Sequence, residues 1–493
     1  MSWQLKRKAR DRVAREVVLP GGGYRGPADI RACLVYPNTY QVGMSHLGFQ
    51  TLHALLNGLE GFSCERAFLP SRDELLLFES SRQLLFSLET QTPLAQFDLI
   101  GFSVCYELDY PNLVRVLLLS GIPPFARDRA ENHPLVIAGG PCITYNPEPL
   151  ADFLDACVVG EGEETIAALT QVLRDVSMAR GAARRDLLAA LAQVPGVYVP
   201  SLYAVETAPS GFAVPGSPRR GAPERVPRQW VRHLERYPCA SLILTPDTQF
   251  GDLFCVEVMR GCGRGCRFCL AGYVWRPPRA RPRAQILELV AAALPHRRKV
   301  GIVGPSISDY PDLPGLLEGI RELGAEVSAS SLRADVLWPE PVLSLAQSGE
   351  TAITIAPEAG LERLRRAVNK SVTDDQIDAA VENALSAGIR RVKLYFMIGL
   401  PTETEADVEA IGEMCRRLAS RPGVRQVHAS VNPFVPKPGT PLQWCAMEAE
   451  RQLEEKRRRL RNLLRHHRQV ELSGESPRSA VVQCVLSRGD RRL

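Results

Sequence analysis

Three cysteines within eight residues are the most chemically pointed feature of the chain. Arg260-Gly261-Cys262-Gly263-Arg264-Gly265-Cys266-Arg267-Phe268-Cys269 spaces them as C-x3-C-x2-C. Thiolates this close converge on one metal centre if the loop wraps, and Gly261, Gly263 and Gly265 permit the positive φ angles that wrapping needs. Arg264 and Arg267 offset the negative charge of the thiolates. A structural zinc site takes a fourth ligand, and Cys255, seven residues earlier in an expected strand, is poorly placed to join the loop. Three ligands on a cubane iron–sulfur cluster leave one iron open, as an iron that binds substrate requires. The pattern points to an open-site cluster, with zinc or unligated thiols as the alternatives.

The elements that must position this loop repeat strand then helix. Over residues 248–440 six strands are expected, at Phe254–Met259, Lys299–Val303, Glu326–Ser330, Ala352–Ala356, Val392–Ile398 and Val427–Val431. The fourth helix is the clearest: Thr373 and Gln376 form a capping box, Ile377, Ala380, Val381, Ala384 and Leu385 make one apolar face, and Gly388 ends it. Six β/α units fall short of an eightfold barrel and suit a partial one, with its chemistry at the carboxyl ends of the strands. The cysteine loop directly follows the first of them.

Residues 25–178 read as a separate α/β domain. Its expected strands are Ile30–Tyr36, a run near Cys64–Leu69, Asp98–Val104, Leu135–Ala138 and Ala156–Val159, alternating with helical patterns such as Phe49, Leu52, Leu55, Leu56 and Leu59. Buried-looking strands alternating with helices imply a doubly wound parallel sheet, which binds ligands at the carboxyl ends of its strands. Gly101-Phe102-Ser103, Gly139-Gly140-Pro141 and Gly160-Glu161-Gly162-Glu163-Glu164 fall there, the last three acids also suiting a helix start. Residues 1–24 read as a basic, solvated helix or arm, with an RNA contact as the alternative, and 179–247 as a linker with a small β element. Residues 441–493 read as a charged helix around Arg451–Arg468 and a strand-like run at Ala480–Leu486, the start of an interrupted extension.

With 493 residues the chain accommodates several domains and a large core, and 45% hydrophobic against 23% charged residues argues against disorder. A net charge of +5 does not by itself indicate nucleic acid. Thirteen cysteines, an odd number, behind a charged start with no apolar signal segment predict a reduced, cytosolic chain rather than a disulfide framework. No apolar run is long enough to span a membrane.

With these features in place, the chain resembles the radical SAM enzymes, whose cluster loop has the same spacing and an aromatic residue at the position of Phe268. The resemblance implies a [4Fe-4S] cluster on Cys262, Cys266 and Cys269. Its open iron binds S-adenosylmethionine, and reductive cleavage then yields a 5′-deoxyadenosyl radical. It also implies an electron donor such as flavodoxin or ferredoxin. Further positions carry over residue by residue. Gly304-Pro305-Ser306 stands where the family often has Gly-Gly-Glu, with Ser306 in place of the acid. Ser331 and Arg333 reach toward ribose or carboxylate, and Glu358 toward ribose hydroxyls. Ile398 and Gly399, in Met397-Ile398-Gly399-Leu400-Pro401, resemble the adenine-contacting segment, and Asn432 follows the sixth strand. As alternatives, Glu358 and Glu403 favour helix N-termini and Arg333 forms an ion pair.

The first domain looks like that of cobalamin-associated members. Tyr36-Pro37-Asn38-Thr39-Tyr40-Gln41-Val42-Gly43-Met44, Ser330-Ser331-Leu332-Arg333-Ala334-Asp335 and Lys393-Leu394-Tyr395-Phe396-Met397 match one such subgroup. The Asp-x-His-x-x-Gly motif that supplies a lower cobalt ligand is absent, and His46-Leu47-Gly48 does not reproduce it. A base-off cobalamin without a protein ligand, or a domain that lost the cofactor, both fit. A methylthiotransferase, acting on tRNA or a ribosomal protein, would add a second cluster on three N-terminal cysteines. Cys105 and Cys142 fall at strand ends, whereas Cys33, Cys64 and Cys157 look buried in strands. A non-catalytic alternative is an RNA-binding scaffold using Lys456-Arg457-Arg458-Arg459-Leu460-Arg461. The substrate is not legible.

Overall fold

A computed structural model describes residues 2–178, 183–209, 211, 213–329, 332–336 and 339–493. The chain folds as two compact units, one of residues 1–252 with 486–493, the other Leu253–Val485.

The first unit is built on a six-stranded sheet of β1 (Ile30–Tyr36), β2 (Phe62–Phe68), β3 (Leu99–Ser103), β4 (Leu135–Gly139), β5 (Ala156–Val158) and β6 (Val197–Tyr198). Their spatial order is β2-β1-β3-β4-β5-β6, all parallel except β6. Successive strands lie on opposite sides of β1, which makes the β1/β3 boundary the topological switch point. The run expected near Cys64–Leu69 starts two residues earlier, at Phe62. It carries Ser63, Glu65 and Arg66, yet every residue of β2 is buried. Burial of these charges is matched by partners: Arg66 lies between Glu16 and Glu89 at 2.7 and 2.6 Å, and Glu65 accepts from Ser87 Oγ at 2.6 Å and Thr90 N at 3.1 Å.

The basic N-terminus takes the helical form of the solvated helix or arm expected of it, with one stripe docked. Helix Ser2–Ala14 buries Leu5 and Ala9, Arg12 pairs with Glu74 at 2.7 Å, and Val17–Val18 pairs antiparallel with Ile243–Leu244. Two apolar positions four residues apart are enough to dock one stripe of a charged helix.

The second unit carries β7 (Leu253–Glu257), β8 (Lys299–Val303) and β9 (Glu326–Ala329) in one parallel set, and β10 (Ala352–Glu358), β11 (Arg391–Ile398), β12 (Gln426–Pro433) and β13 (Val470–Ser473) in another. The six expected strands are present and β13 adds a seventh, parallel to β12 with Val427 opposite Val470. Along β10, β11 and β12 burial alternates residue by residue, so helices cover one face only. The less buried positions, Lys393, Tyr395 and Met397 opposite His428, Ser430 and Asn432, form a largely polar ladder on the other face.

Helix Asp374–Ser386 forms as its sequence requires. Thr373 and Gln376 cap each other reciprocally, and the apolar stripe from Ile377 to Leu385 is buried. Ile377, Val381 and Leu385 each contribute about 1.5–3 kcal/mol. The C-terminal region departs from expectation. The run Ala480–Leu486 is not a strand but part of helix Pro477–Arg488. Ala480, Gln483, Cys484 and Ser487 are buried at helical spacing while Val482 and Val485 face out, so the β-branched pattern was misleading. Residues 441–485 belong to the second unit, and the last residues dock on the first, where Arg491 meets Glu148 at 2.7 Å and Tyr198 at 2.6 Å.

Candidate functional site

The cysteine loop leaves β7 through the short strand Met259–Arg260, which pairs with Arg279–Ala280. Beneath it, Glu257 accepts from Arg260 at 3.0 Å and from Arg281, whose side chain is fully buried. Burial opposes ionisation of Glu257, but the two guanidiniums hold its carboxyl below the ordinary range. Gly261 adopts φ +81°, and a Cβ there would stand 2.2 Å from the Trp275 carbonyl oxygen and 2.6 Å from that of Pro277. Only glycine fits.

The loop is then pinned from outside. Asn369, itself at φ +57°, donates to the carbonyls of Arg264 (3.2 Å) and Gly265 (2.8 Å). Arg267 donates from its backbone to Val368 O (2.9 Å) and from its guanidinium to Ala367 O (2.7 Å). Arg264 forms a bidentate pair with Asp309. The two arginines therefore act chiefly as braces. The cations that favour the Cys266 thiolate against its burial are Lys370 and Arg333.

Cys262, Cys266 and Cys269 are half-buried. Burial pushes the Cys266 and Cys269 thiols up, and Cys269 also feels Glu358 and Cys262 while Cys266 feels Cys269 and Glu358. The three sulfurs thus share one electrostatic neighbourhood. Among the described residues no three His, Cys, Asp or Glu side chains gather as ligands of a single ion. A cubane does not ask for that, since each thiolate takes its own iron. The donor set fits such a cluster.

Glu358 ends β10 at φ +73°, a left-handed conformation unusual for a residue with a side chain, at a register shift following Ile355. Its carboxylate meets Lys370 Nζ at 3.2 Å, with both side chains largely buried. Burial raises the Glu358 carboxyl above its ordinary range and Lys370 opposes the rise. Lys370 is a residue that sequence reasoning missed. Its signal was present in Val368-Asn369-Lys370, a polar pair closing a short helix before the Thr373 cap.

The remaining expected residues are placed as follows. Ser306 donates to Asp309 (2.7 Å) and so supports the Arg264 brace. Arg333 forms a bidentate pair with Asp335 at 2.9 and 2.7 Å, the ion-pair alternative, while remaining close enough to influence Cys266. Gly304 is packed against Met259, 2.8 Å from a would-be Cβ. Phe268 packs against Ala359, Leu364, Val368, Leu400 and Phe434, seating the loop on the ends of β10–β12. Ile398 is fully buried with its carbonyl accepting from Phe434 N (2.8 Å), and Gly399 (φ +83°) lies under Glu448 and Leu453. Asn432 accepts from Glu475 N at 2.8 Å. Ser331 lies outside the described residues.

In the first unit, Gly140 and Gly160 are accounted for by backbone approach: a Cβ would stand 2.4 Å from Val104 O and 2.1 Å from Gln229 O. Glu161 accepts from Val231 N at 2.9 Å. Cys33, Cys64 and Cys157 are fully buried within strands. At the carboxyl ends, Tyr36 feels both Cys105 and Cys142, and Cys105 Sγ lies 3.1 Å from His46 Nε2. His46 Nδ1 accepts from Phe49 N (3.1 Å). Both ring nitrogens are occupied, so His46 does not supply the missing cobalt ligand.

The two units match two family models, "Radical SAM proteins, N-terminal" over residues 48–200 and "Radical SAM superfamily" over 256–415. The chain belongs to the radical SAM superfamily, whose members use a [4Fe-4S] cluster and S-adenosylmethionine. An uncharacterized protein of Methanocaldococcus jannaschii is 29% identical over 93% of this chain and 89% of its own length. The ribosomal protein uS12 methylthiotransferase RimO of Desulfotalea psychrophila is 26% identical over 48% of this chain and 54% of its own. The solved radical S-adenosylmethionine methyltransferase TsrM of Kitasatospora setae, with cobalamin and a [4Fe-4S] cluster bound, superposes with a TM-score of 0.56 over 94% of this chain and 99% of that one. At 13% identity that likeness shows the shared fold. Among the described residues no helix is long and apolar enough to cross a membrane.

Proposed function

We propose that this chain is a radical SAM enzyme of the cobalamin-dependent methyltransferase type. The observation that carries the reading is the grouping of Cys262, Cys266 and Cys269 with Glu358 and Lys370 beside the ends of a partial barrel. Cys262, Cys266 and Cys269 hold the cluster. When bound, cluster and S-adenosylmethionine together supply a 5′-deoxyadenosyl radical, the hydrogen-abstracting agent. Glu358 accepts from ribose hydroxyls, and Lys370 opposes the rise that burial imposes on its carboxyl. Arg264, Arg267 and Asn369 hold the loop in register. The polar ladder of Lys393, His428 and Ser430 faces the substrate side.

The test is the product mixture of anaerobically reconstituted, reduced protein given S-adenosylmethionine and cobalamin. 5′-Deoxyadenosine together with S-adenosylhomocysteine supports methyl transfer, 5′-deoxyadenosine alone reduces the reading to simple radical chemistry, and neither product overturns it. The methylthiotransferase reading requires a second cluster and about eight irons per chain against about four. Its support in the first unit is thin, because Cys33, Cys64 and Cys157 are shut inside the sheet. The RNA-scaffold reading is likewise weakened, since Lys456 pairs with Glu403 and Glu448 at 2.6 Å and Arg459 with Glu405 and Glu409 at 2.8 and 2.6 Å.

Glu358→Gln is expected to keep the full iron content while weakening S-adenosylmethionine binding about tenfold, the loss of about 1.4 kcal/mol from one charged hydrogen bond. Equilibrium binding to the loaded protein measures it. An unchanged affinity removes Glu358 from the cofactor site.

A further inference from the structure

The cluster chemistry occupies the carboxyl ends of the barrel strands and leaves the open face below them unexplained. Parallel strands covered on both sides read as continuous apolar runs. β11 lies between β10 and β12, yet it alternates Val392, Leu394 and Phe396 with Arg391, Lys393 and Tyr395. The first three are buried, whereas Lys393 is exposed and Tyr395 keeps 42% of its surface open. A tyrosine this open in the middle of a sheet has room for a neighbour against its ring.

The charges on this face resolve to one. Arg391 Nε donates to Gln426 at 3.0 Å and Gln426 Nε2 donates to Glu471 at 3.0 Å, so one cation and one carboxylate share an amide between them. His428 Nε2 meets Ser473 Oγ at 2.7 Å, and Asn432 accepts from Glu475 N at 2.8 Å. At the carboxyl end Glu358 is held by Lys370 at 3.2 Å. Lys393 is left over. Among the described residues its Nζ has no hydrogen-bond or ion-pair partner, and neither has the hydroxyl of Tyr395 or of Thr354, which stands opposite Lys393 in register. The depth of these groups is set by the strand. Met397 packs in one apolar cluster with Phe268 of the cysteine loop and so marks the level of that loop. Lys393 precedes it by four residues on the same face, which is about 13 Å along a strand.

From this geometry we infer that the substrate carries a phosphoryl group, held by Lys393 with the Tyr395 and Thr354 hydroxyls, at the end remote from the carbon that reacts. The inference rests on the radical SAM reading above and names its substrate class. A phosphoryl group brings a charge of about −1.5 to −2 and several acceptor oxygens. An ammonium suits it as a point charge, and hydroxyls from two strands supply donors outside a single plane. A carboxylate is better met by the planar fork of an arginine. Anchoring the far end places the reacting carbon through contacts made away from it. The Tyr395 ring gives the intervening part of the molecule an apolar wall.

Titration of the full, cluster-loaded chain with phenyl phosphate and with phenylphosphonate, followed by phosphorus NMR, tests this, with benzoate as a competing carboxylate. Both phosphoryl probes are expected to bind the wild type at least about tenfold more tightly than benzoate. Lys393→Met should weaken them about tenfold at unchanged iron content, and Arg391→Met less than about twofold, because the Arg391 charge is already shared with Glu471. Tyr395→Phe, the milder change, should weaken them about fivefold. The reduced, paramagnetic cluster should relax the bound phosphorus only as a centre more than about 10 Å away does. Binding of one probe alone supports the inference and tells a phosphate ester from a phosphonate. Equal affinity in wild type and Lys393→Met, benzoate competing on equal terms, relaxation that places the phosphorus at the open iron, or no binding by the wild type each overturns it. The radical SAM reading is judged separately on the same preparation, by 5′-deoxyadenosine formation in the absence of any probe.

Discussion

Cys266→Ala is expected to abolish reductive cleavage of S-adenosylmethionine and to lower iron from about four per chain to below one after anaerobic reconstitution. A cubane on three thiolates has no spare protein ligand, so removing one leaves an iron without an anchor. Cys266 is the thiol most closely tied to the rest of the site, since its charge is felt together with Cys269, Glu358, Lys370 and Arg333. Cys255→Ala and Cys415→Ala are the matched controls. Both thiols are buried away from the loop, on β7 and on helix Glu405–Ala419, and both variants should retain iron and activity. Iron and sulfide analysis beside 5′-deoxyadenosine formation decides the matter. A Cys266→Ala protein that keeps its iron and its cleavage activity would remove the loop from the chemistry.

Arg365→Met is expected to cost about 3–5 kcal/mol of stability, read as a shift in the denaturant midpoint at unchanged slope. The guanidinium is fully buried. It donates to Val372 O (2.7 Å), Ala359 O (3.1 Å), Gly360 O (2.8 Å) and Asp374 Oδ1 (2.6 Å). Methionine fills the volume but strands three carbonyls, each carrying a desolvation cost of about 1–3 kcal/mol. The same bonds hold the turn after Glu358. That turn is also fixed at Gly360, where a Cβ would stand 2.4 Å from the backbone oxygen of Asp407. The variant should therefore lose S-adenosylmethionine affinity as well as stability. A loss below about 1 kcal/mol would mean that water replaces the guanidinium, contrary to its burial.

Much of this was legible in the residues. The cysteine spacing, the six barrel strands and the Thr373–Gln376 cap are local signals whose physics does not depend on distant partners. What stayed hidden depends on tertiary context. The strand expected near Cys64–Leu69 forms, but its start at Phe62 and the burial of Glu65 and Arg66 become intelligible only once Glu16, Ser87, Glu89 and Thr90 arrive from elsewhere in the chain. The helix at Pro477–Arg488 read as a strand because valines dominate its outer face. Asn369 and Lys370 signal no more than the end of a short helix, and their roles exist only once the helix Glu362–Ala367 folds back beside the cysteine loop. Arg264 and Arg267 were read for their charge, whereas their geometry gives them a bracing task.

Strand β13 has a consequence for handling the protein. Its four residues cover the outer side of β12 from Val427 to Ser430, where backbone N–H and C=O groups would otherwise point into solvent as an open sheet edge. It is short and carries Glu471 and Ser473 on its exposed positions, a poor template for further pairing. Shortening the chain before Val470 would trade this guarded border for a long one running through the polar ladder, and self-association would follow, together with the loss of Ser473 from His428 (2.7 Å) and of the Glu475 N–H from Asn432 (2.8 Å).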